Sequence, residues 1–134
     1  MKKSLLILFI IYLALSACSS KATASSLIGS WKLTSYGPAN SLIVAVPNTE
    51  AGLTFKEDGT VTGNSGCNGL GGKYKVQGDQ ITFDQIVSTL MACDDPRMAQ
   101  EEVVHKVLTD TASFKIAGNT LTITNNDMVL VLEK

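Results

Sequence analysis

The sequence predicts a mostly β fold: an antiparallel, strongly coiled sheet or cracked small β-barrel, with one amphipathic α-helix packed on it. Three observations support this prediction. Apolar and polar residues alternate with a period of two along most of the chain after residue 28. Glycine, asparagine and aspartate separate the alternating runs at short intervals, as tight hairpins require. A single stretch has helical spacing instead, and many short strands joined by turns tend to close on themselves.

The N-terminal residues have the architecture of a secretory signal. Lys2 and Lys3 precede an apolar run from Ser4 to Leu15, and small residues follow it. The run is too short to span a bilayer, which takes roughly 20 residues. The sequence Leu-Ser-Ala-Cys that ends at Cys18 resembles the lipobox of bacterial lipoproteins. By that resemblance, residues 1–17 form a cleaved signal peptide and Cys18 is lipidated.

Residues 18–26 read as a lipidated cysteine and a flexible tether, because they are small, polar and without periodicity. Two or three acyl chains give stable membrane attachment. Ser19 stands where an aspartate would retain a lipoprotein, so the chain resembles cargo for the outer membrane. We therefore expect a lipid-anchored protein of the cell envelope, facing the periplasm if the source has two membranes.

Composition limits the remaining classes of function. Removal of the two N-terminal lysines leaves nine basic residues against twelve acidic ones, a net charge of −3. No basic patch is visible, so we expect no nucleic-acid partner. Residues 27–134 suit one domain with a modest core. We expect it to be a monomer without a cofactor.

The predicted strands follow one another along residues 27–134. In most of them, apolar residues of one parity alternate with threonine or lysine. The turns between them carry Asp58-Gly59, Gly78-Asp79, Gly118-Asn119 and Asn125-Asn126-Asp127. The strands contain Trp31–Leu33, Leu53–Phe55, Val61, Tyr74–Val76, Ile81–Phe83, Phe114–Ile116, Leu121–Ile123 and Met128–Leu132.

One apolar run does not alternate. It comprises Leu42, Ile43, Val44, Ala45 and Val46, and it ends at Pro47. Such a run predicts a strand that is covered on both sides, or one that lines an apolar cavity. Leu42, Ile43, Val44 and Val46 are therefore candidate core residues, or candidate contacts for an acyl chain or an apolar peptide.

The helix is predicted over residues 97–110. Asp94 and Asp95 can cap it, and Pro96 suits its first turn. Its apolar residues fall on one arc, which predicts a stripe packed on the sheet. That arc contains Val103, Val104, Val107, Leu108 and Thr111, while Glu102, His105, Lys106 and Thr109 fall away from it.

The glycine-rich stretch from Asn64 to Gly72 is the main candidate for chemistry. A phosphate loop would lead into a helix N-terminus, whereas this stretch leads into an alternating strand. A nucleophilic Cys67 or Ser65 would need a base, and the chain has one histidine, His105, on the polar side of the helix. A metal site would use paired ligands two to four residues apart, and we expect none.

A disulfide accounts for more of the pattern. Once Cys18 is set aside, Cys67 and Cys93 remain, and a pair of cysteines in an exported chain most simply forms a disulfide. The bond would pin the helix entry to the glycine-rich loop. Closing a loop of this size stabilises a fold by about 3–4 kcal/mol in the chain-entropy model.

These residues resemble a known family. The resemblance rests on Gly29–Leu33, on Gly66-Cys67-Asn68 followed by Gly72-Lys73-Tyr74, and on Thr89-Leu90-Met91-Ala92-Cys93 before a helix. Together they are similar to the META-domain family, over residues 27–134. The resemblance implies a small antiparallel β domain of the envelope, in some members linked to heat shock. It implies no catalytic residues, and its two cysteines correspond to Cys67 and Cys93.

Three functions follow as expectations. The first is a non-enzymatic, stress-related lipoprotein that binds a protein or another envelope component. The second is a carrier of an acyl chain or an apolar peptide, which requires an open cavity. The third is a hydrolase that uses Cys67 or Ser65 with His105 and an acidic partner, which requires these groups within hydrogen-bond reach.

Overall fold

The computed structural model describes residues 23–134, which form nine antiparallel strands and two helices. The elements are α1 (Ala24–Leu27), β1 (Gly29–Pro38), β2 (Ile43–Val44), β3 (Gly52–Phe55), β4 (Thr60–Asn64), β5 (Gly69–Gln77), β6 (Gln80–Ser88), α2 (Asp95–Val107), β7 (Thr111–Ala117), β8 (Thr120–Asn125) and β9 (Met128–Glu133). The signal peptide and the lipidated Cys18 predicted from the sequence lie outside these residues.

Eight strands close into a barrel, which confirms the predicted fold class. Neighbours in sequence pair from β3 through β9, and β1 closes the ring by pairing with both β3 and β9. The predicted hairpin turns are present, with positive φ at Gly59, Gly78, Gly118 and Asn126. These residue types adopt that conformation at low cost. The short strand β2 pairs only with β1 and lies outside the ring.

The strand register defines two ends of the barrel. The α1 end carries the start of β1, the end of β9 and the turns β3–β4, β5–β6 and β7–β8. The α2 end carries the β4–β5 loop, the β8–β9 turn and the connections of α2 to β6 and β7. The N-terminal residues therefore enter at one end, and α2 with the glycine-rich loop lies at the other.

Apolar side chains fill the interior as one continuous cluster. Trp31, Phe55 and Tyr74 are among its aromatic members, and the rings of Phe55 and Tyr74 meet edge to face at 5.1 Å. Leu27 from α1 is fully buried, as is Val107 from α2. The core therefore continues from the strands into both helices.

The helix α2 follows the prediction, displaced by two to three residues. Val104, Val107 and Leu108 are buried, whereas Glu102 and Lys106 are exposed. The Asn125 side chain donates hydrogen bonds to the carbonyl oxygens of Lys106, Val107 and Thr109. It thereby satisfies carbonyls that the end of a helix leaves without partners.

The prediction for the apolar run at residues 42–46 was wrong. Leu42, Ile43 and Val44 have exposed fractions of 45, 53 and 80%, so they do not belong to the core. Val44 and Val46 line a groove of about 670 Å³, but Lys32, Asn48 and Glu50 line it as well, so it is not an apolar cavity. The reason is that the run forms the added strand β2, over which no second layer packs. Val46 is half-buried, and its backbone N–H donates to Oε1 of Gln100 at 2.8 Å.

The folded part begins slightly earlier than the sequence indicates. Residues 24–26, assigned to the tether, form the first turn of α1. The indole Nε1 of Trp31 donates to the Leu27 carbonyl at 2.7 Å. Lys134 Nζ lies 4.4 Å from the Trp31 ring centre and donates to the Ile28 carbonyl. Within residues 23–134, no helix is long and apolar enough to cross a bilayer.

Candidate binding surface at the α2 end of the barrel

The glycine-rich loop between β4 and β5 packs against α2. Its Gly66 has φ of +103°, a conformation that favours glycine. A Cβ atom at this position would collide with Nε2 of the buried Gln100, so a side chain there would force Gln100 to move. This glycine therefore serves close packing between the loop and the helix. The loop leads into strand β5, as expected, and not into a helix.

The predicted disulfide between Cys67 and Cys93 is present. It joins the loop to the residue before the N-cap of α2, with the two Cα atoms 6.0 Å apart. Cys67 is buried, with 6% of its surface exposed. Because its sulfur is bonded to Cys93, Cys67 offers no thiolate for nucleophilic attack.

Hydrogen bonds from Asn68 also join the glycine-rich loop to the segment before α2. Its side-chain Oδ1 accepts from the backbone N–H of Met91 at 2.7 Å and from Oγ1 of Thr89 at 2.8 Å. Its Nδ2 donates to the Met91 carbonyl at 3.1 Å. Asn68 is 1% exposed, so its side chain is buried, whereas Thr89 and Met91 lie at the surface. The side chain pairs with Met91 as a neighbouring strand would.

Glu101 of α2 supplies a buried carboxylate to this network. It accepts from Ser65 Oγ at 2.5 Å, from the Asn68 backbone N–H at 3.1 Å and from Asn68 Nδ2 at 3.0 Å. Burial would raise the pKa of Glu101, but the hydrogen bonds from Ser65 and Asn68 outweigh it, so the pKa is lowered. The carboxylate is therefore charged at neutral pH and holds the loop against the helix.

Gln100 links the network to the segment before β3. Its Nε2 donates to the Ser65 carbonyl at 2.6 Å, and its Oε1 accepts from the Val46 backbone N–H. Gln100 is fully buried. One turn of α2 thus contributes two adjacent polar side chains that satisfy backbone groups of two loops. We call the residues Ser65, Asn68, Gln100 and Glu101, with the disulfide, the polar clamp.

The groups named for a hydrolase do not form a Ser-His-acid relay. Ser65 is fully buried, and its hydroxyl donates to Glu101 and not to His105. His105 Nε2 lies 4.0 Å from the other oxygen of that carboxylate. The acid thus stands between the serine and the histidine, whereas a nucleophilic serine needs the histidine next to its hydroxyl.

Four large apolar side chains are exposed along the segment that the polar clamp holds. They extend from the end of β6 to the first turns of α2, with exposed fractions of 69, 94, 58 and 40% for Val87, Leu90, Met91 and Met98. We call this set the apolar ridge. Exposed apolar residues that stand singly are ordinary, whereas a larger exposed apolar patch indicates an interaction site. These four lie within residues 87–98 of the sequence, at the α2 end of the barrel.

A groove of about 710 Å³ continues from the ridge along the outer side of α2. It shares Met98 with the ridge, and Asp95, Glu102, His105 and Lys106 line it with Ala99. Lys106 pairs with Glu102 at 2.7 Å. Among residues 23–134, no group of three or more histidine, cysteine or acidic side chains is arranged to hold a metal ion.

Sequence reasoning found the disulfide but missed the other members of the clamp. Asn68 appeared as a loop residue, and Gln100 and Glu101 appeared as polar positions of an amphipathic helix. Their partners are other side chains and backbone groups 21 to 54 positions away in sequence, which periodicity cannot detect. A usable signal was the spacing of Gln100 and Glu101, which stand four and three positions before Val104 and therefore on the packed side of the helix.

Comparison with known proteins adds the family and the fold. The family model of the META domain matches residues 25–134. A protein from Burkholderia xenovorans, solved by NMR, is similar with 22% identity and a TM-score of 0.66, over 87% of this chain and 94% of that one. A DUF4847-family protein from Bacteroides vulgatus is similar with 14% identity and a TM-score of 0.57, over 80% of this chain and 92% of that protein. Curated protein sequences gave no significant match. At these identities the solved structures support the fold alone.

Proposed function

The chain belongs to the META-domain family, and from this premise we propose that it is a lipid-anchored, non-enzymatic binding domain of the bacterial cell envelope. Its partner is a protein, and the partner binds at the α2 end of the barrel. The observation that carries the proposal is the apolar ridge, which is exposed and yet held rigidly by the polar clamp.

The energetics of the clamp support a binding role. The disulfide and the Asn68 bonds fix a connection that exposes 94% of Leu90 and 58% of Met91. Those two side chains add little to the stability of the core, because burial is what stabilises apolar groups. A surface that is already ordered loses less conformational entropy when a partner binds. Rigidity at this place is therefore useful for recognition.

The position of the N-terminus agrees with a membrane anchor at Cys18. Cys18 precedes Thr23 by five residues, which reach at most about 18 Å when extended. Strand β5 has nine residues and spans about 30 Å. A lipid on Cys18 would therefore keep the α1 end near the membrane and direct the α2 end away from it.

The packed interior argues against the carrier alternative. That alternative was based on a cavity lined by Leu42, Ile43, Val44 and Val46, and three of these residues are exposed. The interior positions of the barrel hold core side chains instead. The absence of a free Cys67 thiol and the burial of Ser65 likewise argue against the hydrolase.

Replacing Cys18 by alanine tests the anchor. We expect the wild-type chain in the membrane fraction and the Cys18→Ala variant in the soluble envelope fraction. An unchanged membrane fraction for the variant would contradict lipidation at this residue.

Photo-crosslinking in living cells tests the binding surface. A photoreactive amino acid replaces Leu90 in one strain and Glu57, exposed at the α1 end, in the control strain. We expect a discrete crosslinked protein from position 90 and none from position 57, with a stronger signal after heat or envelope stress. No crosslink from position 90 under any condition, together with a deletion strain that grows normally under stress, would overturn the proposal.

A further inference from the structure

The charged residues at the α2 end indicate which kind of partner the ridge can bind. Asp94 pairs with Arg97 at 2.8 Å, so these two charges compensate each other. Asp95 is exposed, and no ion pair joins it to another of residues 23–134. It lies between Met91 and Met98 in sequence and lines the groove beside Met98. The apolar ridge therefore has at its border one exposed carboxylate, at the first residue of α2, without an ion-pair partner among residues 23–134.

A bilayer is a poor occupant for this surface. The N-terminal residues enter at the α1 end, on the far side of the barrel from the ridge. Bacterial membranes are rich in anionic lipids, and an acidic side chain at the border of the ridge would be repelled by them. Segments that bind such surfaces carry lysine and arginine around their apolar residues, whereas the ridge carries Asp95.

We propose that the ridge and the adjoining groove bind a polypeptide segment that presents apolar side chains next to a lysine or arginine. This inference rests on the proposed function and specifies its partner. The apolar side chains of the segment pack on Leu90, Met91 and Met98, and its cation lies beside Asp95. The apolar contact supplies most of the affinity, and the charge pair selects the segment, because rim charges contribute more to specificity than to affinity.

Methionine methyl groups make the contact observable. Of the four methionines, Met91 and Met98 lie on the ridge, Met128 lies in β9, and Met1 belongs to the predicted signal peptide. The full chain is labelled with 13C-methyl methionine and reconstituted in lipid nanodiscs. Three short peptides are then titrated: apolar residues with lysine, the same apolar residues with glutamate, and polar residues with lysine.

We expect the apolar peptide with lysine to shift the Met91 and Met98 signals and to leave Met128 unchanged. The variant Leu90→Ser should weaken its binding about tenfold, since a leucine contact is lost. The control Val44→Ser, which alters an apolar residue on β2 that is 80% exposed against 94% for Leu90, should not. Asp95→Asn should weaken binding about threefold at low salt and less at high salt, whereas Glu57→Gln should have no effect.

Each result that differs from these expectations would overturn a different part of the proposal. Equal binding of the glutamate peptide would overturn the charge preference while leaving a docking surface in place. Binding of the polar lysine peptide alone would overturn the apolar contact. Broadening of Met91 and Met98 by a paramagnetic lipid would show a membrane-facing surface and would overturn the protein partner altogether. Crosslinking from position 90 together with no binding of any peptide would overturn the proposed segment but not the proposed function.

Discussion

Replacement of Asn68 by alanine should destabilise the domain more than any other change that removes a single amide side chain. Four hydrogen bonds of this side chain would be lost: two with the backbone of Met91, one with Thr89 and one with Glu101. A neutral hydrogen bond contributes about 1 kcal/mol, and one to a charged group about 1.5–3 kcal/mol. The sum is about 5 kcal/mol.

Part of this loss would be recovered. Met91 and Thr89 are exposed, so water can replace their bonds to Asn68. Glu101 keeps two of its donors, Ser65 Oγ and the backbone N–H of residue 68. We therefore expect the free energy of unfolding to fall by about 3 kcal/mol, which is a large share of the ~5–15 kcal/mol of a domain. The midpoint of thermal unfolding should fall by about 15 °C.

Equilibrium unfolding in urea, followed by the fluorescence of the single Trp31, measures this change. The disulfide stays oxidised in both proteins, so that only the hydrogen bonds differ. The matched control is Asn40→Ala, in an exposed turn, which should change the free energy by less than about 0.5 kcal/mol. A loss below about 1 kcal/mol for Asn68→Ala would refute the reasoning, because the bonds would then contribute no more than one ordinary hydrogen bond.

Three further predictions concern the disulfide, Glu101 and Gly66. Replacing Cys67 and Cys93 by alanine should lower the free energy of unfolding by about 3.5 kcal/mol, measured by urea unfolding; an unchanged midpoint would contradict the prediction. Because the folded pKa of Glu101 is lowered, its contribution should be complete above about pH 5 and should be lost as pH falls through the folded pKa. In the Glu101→Gln variant, the free energy of unfolding should depend less on pH in this acid range. An unchanged pH dependence would contradict the assigned role of Glu101. Gly66→Ala should cost about 3 kcal/mol through backbone strain and contact with Gln100, and wild-type stability by thermal unfolding would disprove the close packing.

The strands and turns could be predicted because their signals are local. Alternation at Tyr74–Val76 and Ile81–Phe83, with Gly78-Asp79 between them, depends on the pleat and on the positive φ of the turn. Neither depends on distant contacts, and the hairpin β5–β6 formed as expected. The closure of β1 on β9 is different, because alternation does not specify which strand ends meet.

The features that the sequence did not predict correctly also have physical causes. The run Leu42–Val46 is as apolar as a central strand, and hydrophobicity alone does not tell whether a second layer covers it. Glu101 lies at the edge of the apolar arc of α2, where helical periodicity favours an exposed acid. Its burial depends on the donors Ser65 and Asn68, which the β4–β5 loop brings to it. Buried polar groups follow from three-dimensional complementarity, which one sequence does not display.

The central claim is that the apolar ridge is held in place before any partner binds, and amide hydrogen exchange at Met91 tests it most directly. The Met91 N–H donates to Oδ1 of Asn68 at 2.7 Å although the residue is 58% exposed. We expect this amide to exchange at least about a hundredfold more slowly than an unstructured one, and Asn68→Ala to abolish the protection. Exchange of the wild-type Met91 amide at the unstructured rate would contradict the claim.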